Sequence, residues 1–123
     1  MDKIVFNLIE FQNQIRILHW QTKSYSRHVA YGDVYDKLNK LIDKLVETYQ
    51  GKYDRIKFSN SKLNLKNLED INLNEYINSL ILDLSLPDSN FLKSISSEDT
   101  DLLNIRDEIL SVLHKLKYLC TLK

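Results

Sequence analysis

The chain has 123 residues, with 17 basic and 17 acidic side chains, three histidines, one cysteine, one proline and two glycines. A hydrophobic fraction of 43% excludes a disordered chain, and no apolar run approaches the roughly 18 residues that a membrane-spanning helix needs. The lone Cys120 excludes an internal disulfide and multi-cysteine zinc modules, and the N-terminus is unlike a signal peptide. We expect one cytoplasmic domain over residues 1–123.

Few helix breakers, together with apolar residues spaced three and four apart, predict an all-helical fold. The first helix begins with Asp2 as N-cap and is closed by His19. A polar stretch over residues 21–27 turns the chain, and the second helix covers about residues 28–50, with Gly51 as its stop. The inward-facing residues are Ile4, Leu8, Phe11, Ile15 and Leu18 in the first helix and Tyr31, Tyr35, Leu38, Ile42, Leu45 and Tyr49 in the second.

The second half of the chain predicts two more helices after a long connector over residues 52–68. Asn72 and Glu75 have the spacing of a capping box, and the third helix that they begin ends before Pro87. The fourth helix covers about residues 99–122. Long helices with one long connection between the second and third predict a four-helix up-down bundle with a crossover, as in ferritin-like folds.

Candidate metal ligands lie at both ends of the second helix. His28 opens this helix beside His19, while Asp36, Asp43 and Glu47 share a face further along it. Two imidazoles and two carboxylates suit Fe(II), Mn(II) or Zn(II). His28 and Asp43 are about 22 Å apart along one helix, so one chain cannot close the site. We therefore expect two copies to pack antiparallel through the second helix, each completing the other's site.

A second interpretation of the same helix needs no metal. Lys40 and Lys44 are close enough to balance the carboxylates on a solvated helix face. In the antiparallel dimer of the metal-binding interpretation, by contrast, the twofold axis would pass near Tyr35 and Asp36. Gly32 would allow close approach of the two backbones beside that axis. Both interpretations stay open on the sequence alone.

The spacing of these ligands resembles the Dps class of mini-ferritins, over roughly residues 8–51. That class has a His-Trp pair ending the first helix, a His opening the second, and an Asp-x-x-x-Glu pair beginning fifteen residues later. His19 and Trp20 match the first pair, His28 the second His, and Asp43 with Glu47 the carboxylates. The loop between the histidines is shorter here, and Gly32 stands where the class has an Asp ligand; Asp36, one turn further on, is a substitute candidate.

The resemblance implies a ferroxidase centre between subunits, at which Fe(II) is oxidised by peroxide or oxygen, within a shell of twelve subunits. Zn(II) or Mn(II) are the alternative metals. The chain's ending, residues 104–108 and 117–119, is also similar to that of short phage-encoded proteins of unknown role.

Charge adds two further hypotheses. Residues 52–68 carry a net charge of +4, and residues 69–108 carry −8. No basic N-terminal tail is present, so DNA binding is expected to be weak or absent. Besides a ferroxidase, the sequence therefore leaves open a structural or viral assembly protein without metal, and a small adaptor that contacts nucleic acid or a partner through Lys57, Lys62 and Lys66.

Overall fold

The computed structural model describes residues 1–59 and 61–122, and the regular structure within these ranges is all helical, as predicted. A 3-10 turn at Leu68–Asp70 interrupts the connector. No helix in the described part of the chain combines the length and the apolar character needed to cross a bilayer. The five α-helices are α1 (Asp2–Gln21), α2 (Tyr25–Lys52), α3 (Leu73–Ser85), α4 (Asn90–Lys93) and α5 (Thr100–Leu119).

The turn between α1 and α2 is shorter than predicted and spans residues 22–24. The Ser24 hydroxyl accepts a hydrogen bond from the backbone N–H of Arg27 at 3.3 Å and so caps α2, which begins at Tyr25, three residues before the predicted start. At the other end of the pair, Asp2 is the first residue of α1 but its side chain does not cap the helix. Short polar segments next to a capping serine are easily mistaken for loops.

The end of α2 also differs from the prediction, because Gly51 lies inside the helix. The helix continues through Lys52, whose ammonium group pairs with Asp99 at 2.9 Å and with Asp101 at 2.6 Å. These ion pairs fasten the last turn of α2 to the beginning of α5. Contacts that are distant in sequence thus outweigh the local tendency of glycine to end a helix.

The third helix begins as predicted, with the Asn72 side chain accepting a hydrogen bond from the backbone N–H of Glu75 at 3.1 Å. It ends at Ser85, two residues before Pro87. The chain then forms the single turn of α4, which buries Phe91 completely.

The helices form a ring in which α2 lies between α1 and α5, and α3 contacts both α5 and α1. The connector crosses from one end of the bundle to the other along α1. Backbone N–H groups of Asn64, Lys66 and Leu68 donate to the side chains of Glu10, Gln14 and Gln21, respectively. Because these partners ascend α1 in order, the connector runs parallel to it. Consequently α2 and α3 point the same way, and α1 and α5 point against them.

The core fills the centre of this ring with aliphatic side chains and three large aromatic ones. The predicted stripe of α1 is completely buried, with 0% exposure for every member. In α2, Tyr35 and Tyr49 are only partly buried, whereas Val34, which the predicted stripe omitted, is inside. The four-helix bundle with one long crossover is therefore present.

Candidate metal centre

His19 and His28 meet at the corner where α1 ends and α2 begins. Their rings stack, with centroids 3.8 Å apart and planes 15° from parallel. Nδ1 of His19 lies 2.6 Å from the carbonyl oxygen of His28, and Nδ1 of His28 lies 2.8 Å from the carbonyl oxygen of His19. A carbonyl oxygen only accepts, so each Nδ1 donates its proton, which leaves Nε2 of each ring as the nitrogen available to a ligand.

The His19 ring packs against Gly32 of α2. A Cβ at position 32 would lie 3.0 Å from Cε1 and 3.2 Å from Nδ1 of His19, which is too close for an undisturbed ring. Gly32 therefore has a close contact within its own chain, while its predicted role in a dimer stays a prediction. Any side chain at this position requires the His19 ring to give way by a few tenths of an ångström.

Three carboxylates occupy the outer face of α2, away from the His pair: Asp36, Asp43 and Glu47. All three are exposed, and none forms an ion pair with another described residue. Lys40 and Lys44 are exposed on the same helix, so the metal-free interpretation of this face stays open.

Because α2 is unbroken, His28 and Asp43 are about 22 Å apart along it. The structure thus joins the two predicted nitrogen ligands but does not bring the carboxylates to them. Among the described residues, no three His, Cys, Asp or Glu side chains converge on one point.

Large exposed side chains surround the His pair. Trp20 is 63% exposed, Tyr25 is 81% exposed and Val29 is 50% exposed. The Arg16 guanidinium lies 5.3 Å from the Trp20 ring and 4.8 Å from the Tyr35 ring, so it stacks between two aromatic side chains. This corner is the part of α1 and α2 where aromatic surface, cation and imidazoles occur together.

The basic residues proposed for nucleic-acid contact lie elsewhere. Lys57, Lys62 and Lys66 are exposed along the connector. The backbone of Lys66 is held by the buried side chain of Gln14, which accepts from its N–H and donates to its carbonyl, each at 2.8 Å. The adaptor hypothesis is neither supported nor opposed by this placement.

Comparison with known proteins finds a phage relative. The chain is 40% identical over 50 residues to an uncharacterized 14.6 kDa protein in the mobD-ri intergenic region of Enterobacteria phage T4. The match covers 41% of this chain and 39% of that protein, so it spans about two fifths of the relative's length. The chain is thus similar to a phage-encoded protein over part of its length.

The ferritin-like relation remains a prediction, because no solved structure matches the chain. A family model matches residues 19–120, which include the His pair, the carboxylate face, the crossover and all of α5. This range covers most of the chain and begins at His19 itself. The chain therefore belongs to the family of unknown function DUF5856.

Proposed function

We propose that the chain binds a divalent cation between two copies, with His19 and His28 of one copy and Asp43 and Glu47 of the other as ligands. The reciprocal hydrogen bonds of the two imidazoles carry this proposal. Metal-ligating histidines typically donate their second ring N–H to a backbone carbonyl or carboxylate, which fixes the tautomer and the ring orientation. Both rings of this pair already have that arrangement.

The need for a second copy follows from the length of α2. Its imidazole end and its carboxylate end are too far apart to share a cation within one chain. An antiparallel pair of α2 helices brings the imidazole end of each copy to the carboxylate end of the other, which gives two equivalent sites. Exposed Trp20, Tyr25 and Val29 favour contact at this corner, since large apolar groups in one exposed patch mark interaction surfaces.

The ligand set favours one cation per chain. Gly32 supplies no carboxylate, and the His19 ring fills the space that an Asp side chain would need. Asp36, one turn beyond Gly32, is the remaining candidate for an additional ligand. Fe(II) is the substrate that the mini-ferritin resemblance favours, with oxidation to Fe(III) by peroxide or oxygen. Zn(II) and Mn(II) suit the same mixed nitrogen and oxygen donors. We place this activity in the cytoplasm of a phage-infected bacterial cell.

Metal content measured together with solution mass tests the proposal. We expect an even-numbered oligomer with a metal-to-chain ratio near one. His19→Ala and Asp43→Ala should each abolish stoichiometric binding, because each removes a ligand from every site. His114→Ala and Asp88→Ala are matched controls, since both residues are exposed and neither belongs to α1 or α2. A monomer that takes up neither Fe(II) nor Zn(II) would refute the proposal.

Mixing the two inactive variants tests whether the site is shared between copies. In a dimer of one His19→Ala chain and one Asp43→Ala chain, one site carries both defects and the other carries neither. Random mixing should therefore restore about a quarter of the wild-type sites. No recovery after the chains have been exchanged would show that the ligands do not come from two copies.

The same measurements separate this proposal from a metal-free assembly protein. If an oligomer forms equally well with a chelator and in both variants, and carries no metal, the assembly function is supported instead. If the protein does bind Fe(II), its ferroxidase activity is measured as the appearance of Fe(III) absorbance after peroxide or oxygen is added to the Fe(II)-loaded protein.

A further inference from the structure

A cavity of about 330 Å³ lies where the ends of α1 and α5 meet the beginnings of α2 and α3. Leu18, Leu68, Ile71, Leu73 and Ile77 give it apolar walls. Its volume is in the range of small-molecule sites, which are typically apolar with a few placed polar groups. Neither His19 nor His28 lines it, so it is separate from the proposed metal centre.

Two cations face this apolar space. Arg27 and Lys117 both line the cavity and both are partly buried. The hydrogen-bond partners of Arg27 are neutral: Nη1 donates to the Tyr31 hydroxyl at 3.4 Å, and Nη2 donates to the Cys120 carbonyl at 2.5 Å. Lys117 donates to the side-chain oxygen of Asn78 at 2.8 Å, which is also neutral.

No described residue lining the cavity is acidic, and neither cation forms an ion pair within the described part of the chain. Burial raises the pKa of the Cys120 thiol, so this group adds no negative charge near neutral pH. The polar part of the cavity lining therefore carries positive charge, and no described acidic residue of the lining balances it. A partly buried cation gains most from an ionised partner, because charge-assisted hydrogen bonds are about twice as strong as neutral ones.

We infer that this cavity binds an organic anion with an apolar body, its carboxylate or phosphate head held by Arg27 and Lys117 and its chain against the aliphatic wall. The fork of an arginine guanidinium matches both head groups. The volume lies at the lower end of the range for small-molecule sites, which suits a small ligand such as an eight-carbon acid. This inference does not depend on the metal proposal.

Isothermal titration with four eight-carbon probes tests the charge requirement on the full chain. Octanoate and octyl phosphate should bind, while octanol and octylammonium should bind at least tenfold more weakly or not at all. Whichever anion binds more tightly identifies the head group. Equal affinity for octanol and octanoate would refute the inference, because the cations would then contribute nothing.

Substitutions test the location of binding. Arg27→Gln and Lys117→Gln should each weaken octanoate binding about tenfold or more, because each removes a charge-assisted hydrogen bond. Lys115→Gln is the matched control, since Lys115 is exposed on the same helix, outside the cavity.

Leu73→Trp should prevent binding by filling the space, and it leaves both cations in place. Arg27→Gln also loses the bond to the Cys120 carbonyl at the end of α5 and so could fail to fold. In that case Leu73→Trp still tests the location of binding. Octanoate binding that is unchanged in folded Lys117→Gln and in Leu73→Trp would overturn the inference.

Discussion

The hydrogen atom at Gly32, in place of a side chain, leaves the space that the His19 ring fills. The two glycines of the chain make a useful comparison, because both lie inside α2 but only Gly32 has a close neighbour. A Cβ on Gly51 would meet nothing within 4 Å. The general gain in helix propensity from glycine to alanine can therefore be separated from the specific cost at the His pair.

We expect Gly51→Ala to raise the free energy of unfolding by about 0.5–1 kcal/mol, the usual preference for alanine in a helix. Gly32→Ala should gain less than Gly51→Ala, because the His19 ring must give way by a few tenths of an ångström and this weakens its Nδ1 bond to the His28 carbonyl, one interaction worth about 0.5–1.5 kcal/mol. Urea denaturation of both variants checks this. If Gly32→Ala is stabilised as much as Gly51→Ala, the His19 ring is free to move and the pair is not a rigid unit.

The positions of single residues could be predicted where they follow from the spacing of residues along a helix. The placement of both histidines at one corner follows from the helical period and a short turn. The stacking and the exchange of hydrogen bonds between the rings do not, because they depend on the exact relative position of two helices. The cavity cations were missed, although Arg27 gave a signal: no acid lies within four positions of it in the sequence.

At the scale of elements, the junction between α2 and α5 depends on one carboxylate. Asp99 accepts hydrogen bonds from the Tyr53 hydroxyl, the Ser96 N–H and the Lys52 ammonium group. These donors, the Tyr53 hydroxyl first among them, lower the pKa of Asp99 from 3.8 to about 2. The ionised form is thus favoured in the folded chain, and the junction holds the last turn of α2 and the first turn of α5 together.

A carboxylate whose pKa is lowered by folding contributes stability above its unfolded pKa and loses that contribution as the pH falls through its folded pKa. For Asp99, the contribution is complete above about pH 4 and declines toward pH 2. We expect Asp99→Asn to reduce the fall in the free energy of unfolding over this interval. Urea titrations at several pH values measure it, and an equally steep fall in the variant would contradict the role assigned to Asp99.

Helix identity was predictable for all four long elements because each carries an apolar stripe of the helical period. Helix ends were less predictable. The early start of α2 and its continuation past Gly51 depend on a serine cap and on ion pairs from a helix about 50 residues away. The residues next to a helix end in the sequence do not reveal such ion pairs with a distant helix.

For the whole molecule, the crossover is held to the bundle chiefly by polar side chains of α1. Gln14 is completely buried, and its amide bonds to both backbone groups of Lys66. Each of these bonds replaces one that the connector would otherwise make with water. The path of the connector, and with it the direction of α3, therefore depends on a buried amide beside the apolar stripe of α1.

We expect Gln14→Leu to lower the free energy of unfolding by about 1–3 kcal/mol, because it leaves the Lys66 backbone without its partner. The released connector should become a site of trypsin cleavage at Lys57 and Lys62 under native conditions. Gln12→Leu is the control, since Gln12 is also a buried glutamine of α1 but bonds to α2. Cleavage of the connector at the same rate in both variants would show that Gln14 does not fasten it specifically.

The crossover divides the chain into two antiparallel helical hairpins, α1 with α2 and α3 with α5, which meet only after about twenty residues of connector. Nothing in the pairing distinguishes a hairpin of the same chain from the equivalent hairpin of another. Refolding at high concentration can therefore exchange hairpins between two molecules, a known route to dimers. Such an exchanged dimer would persist after dilution and would not be dissociated by chelators, in contrast to a dimer joined by a shared cation.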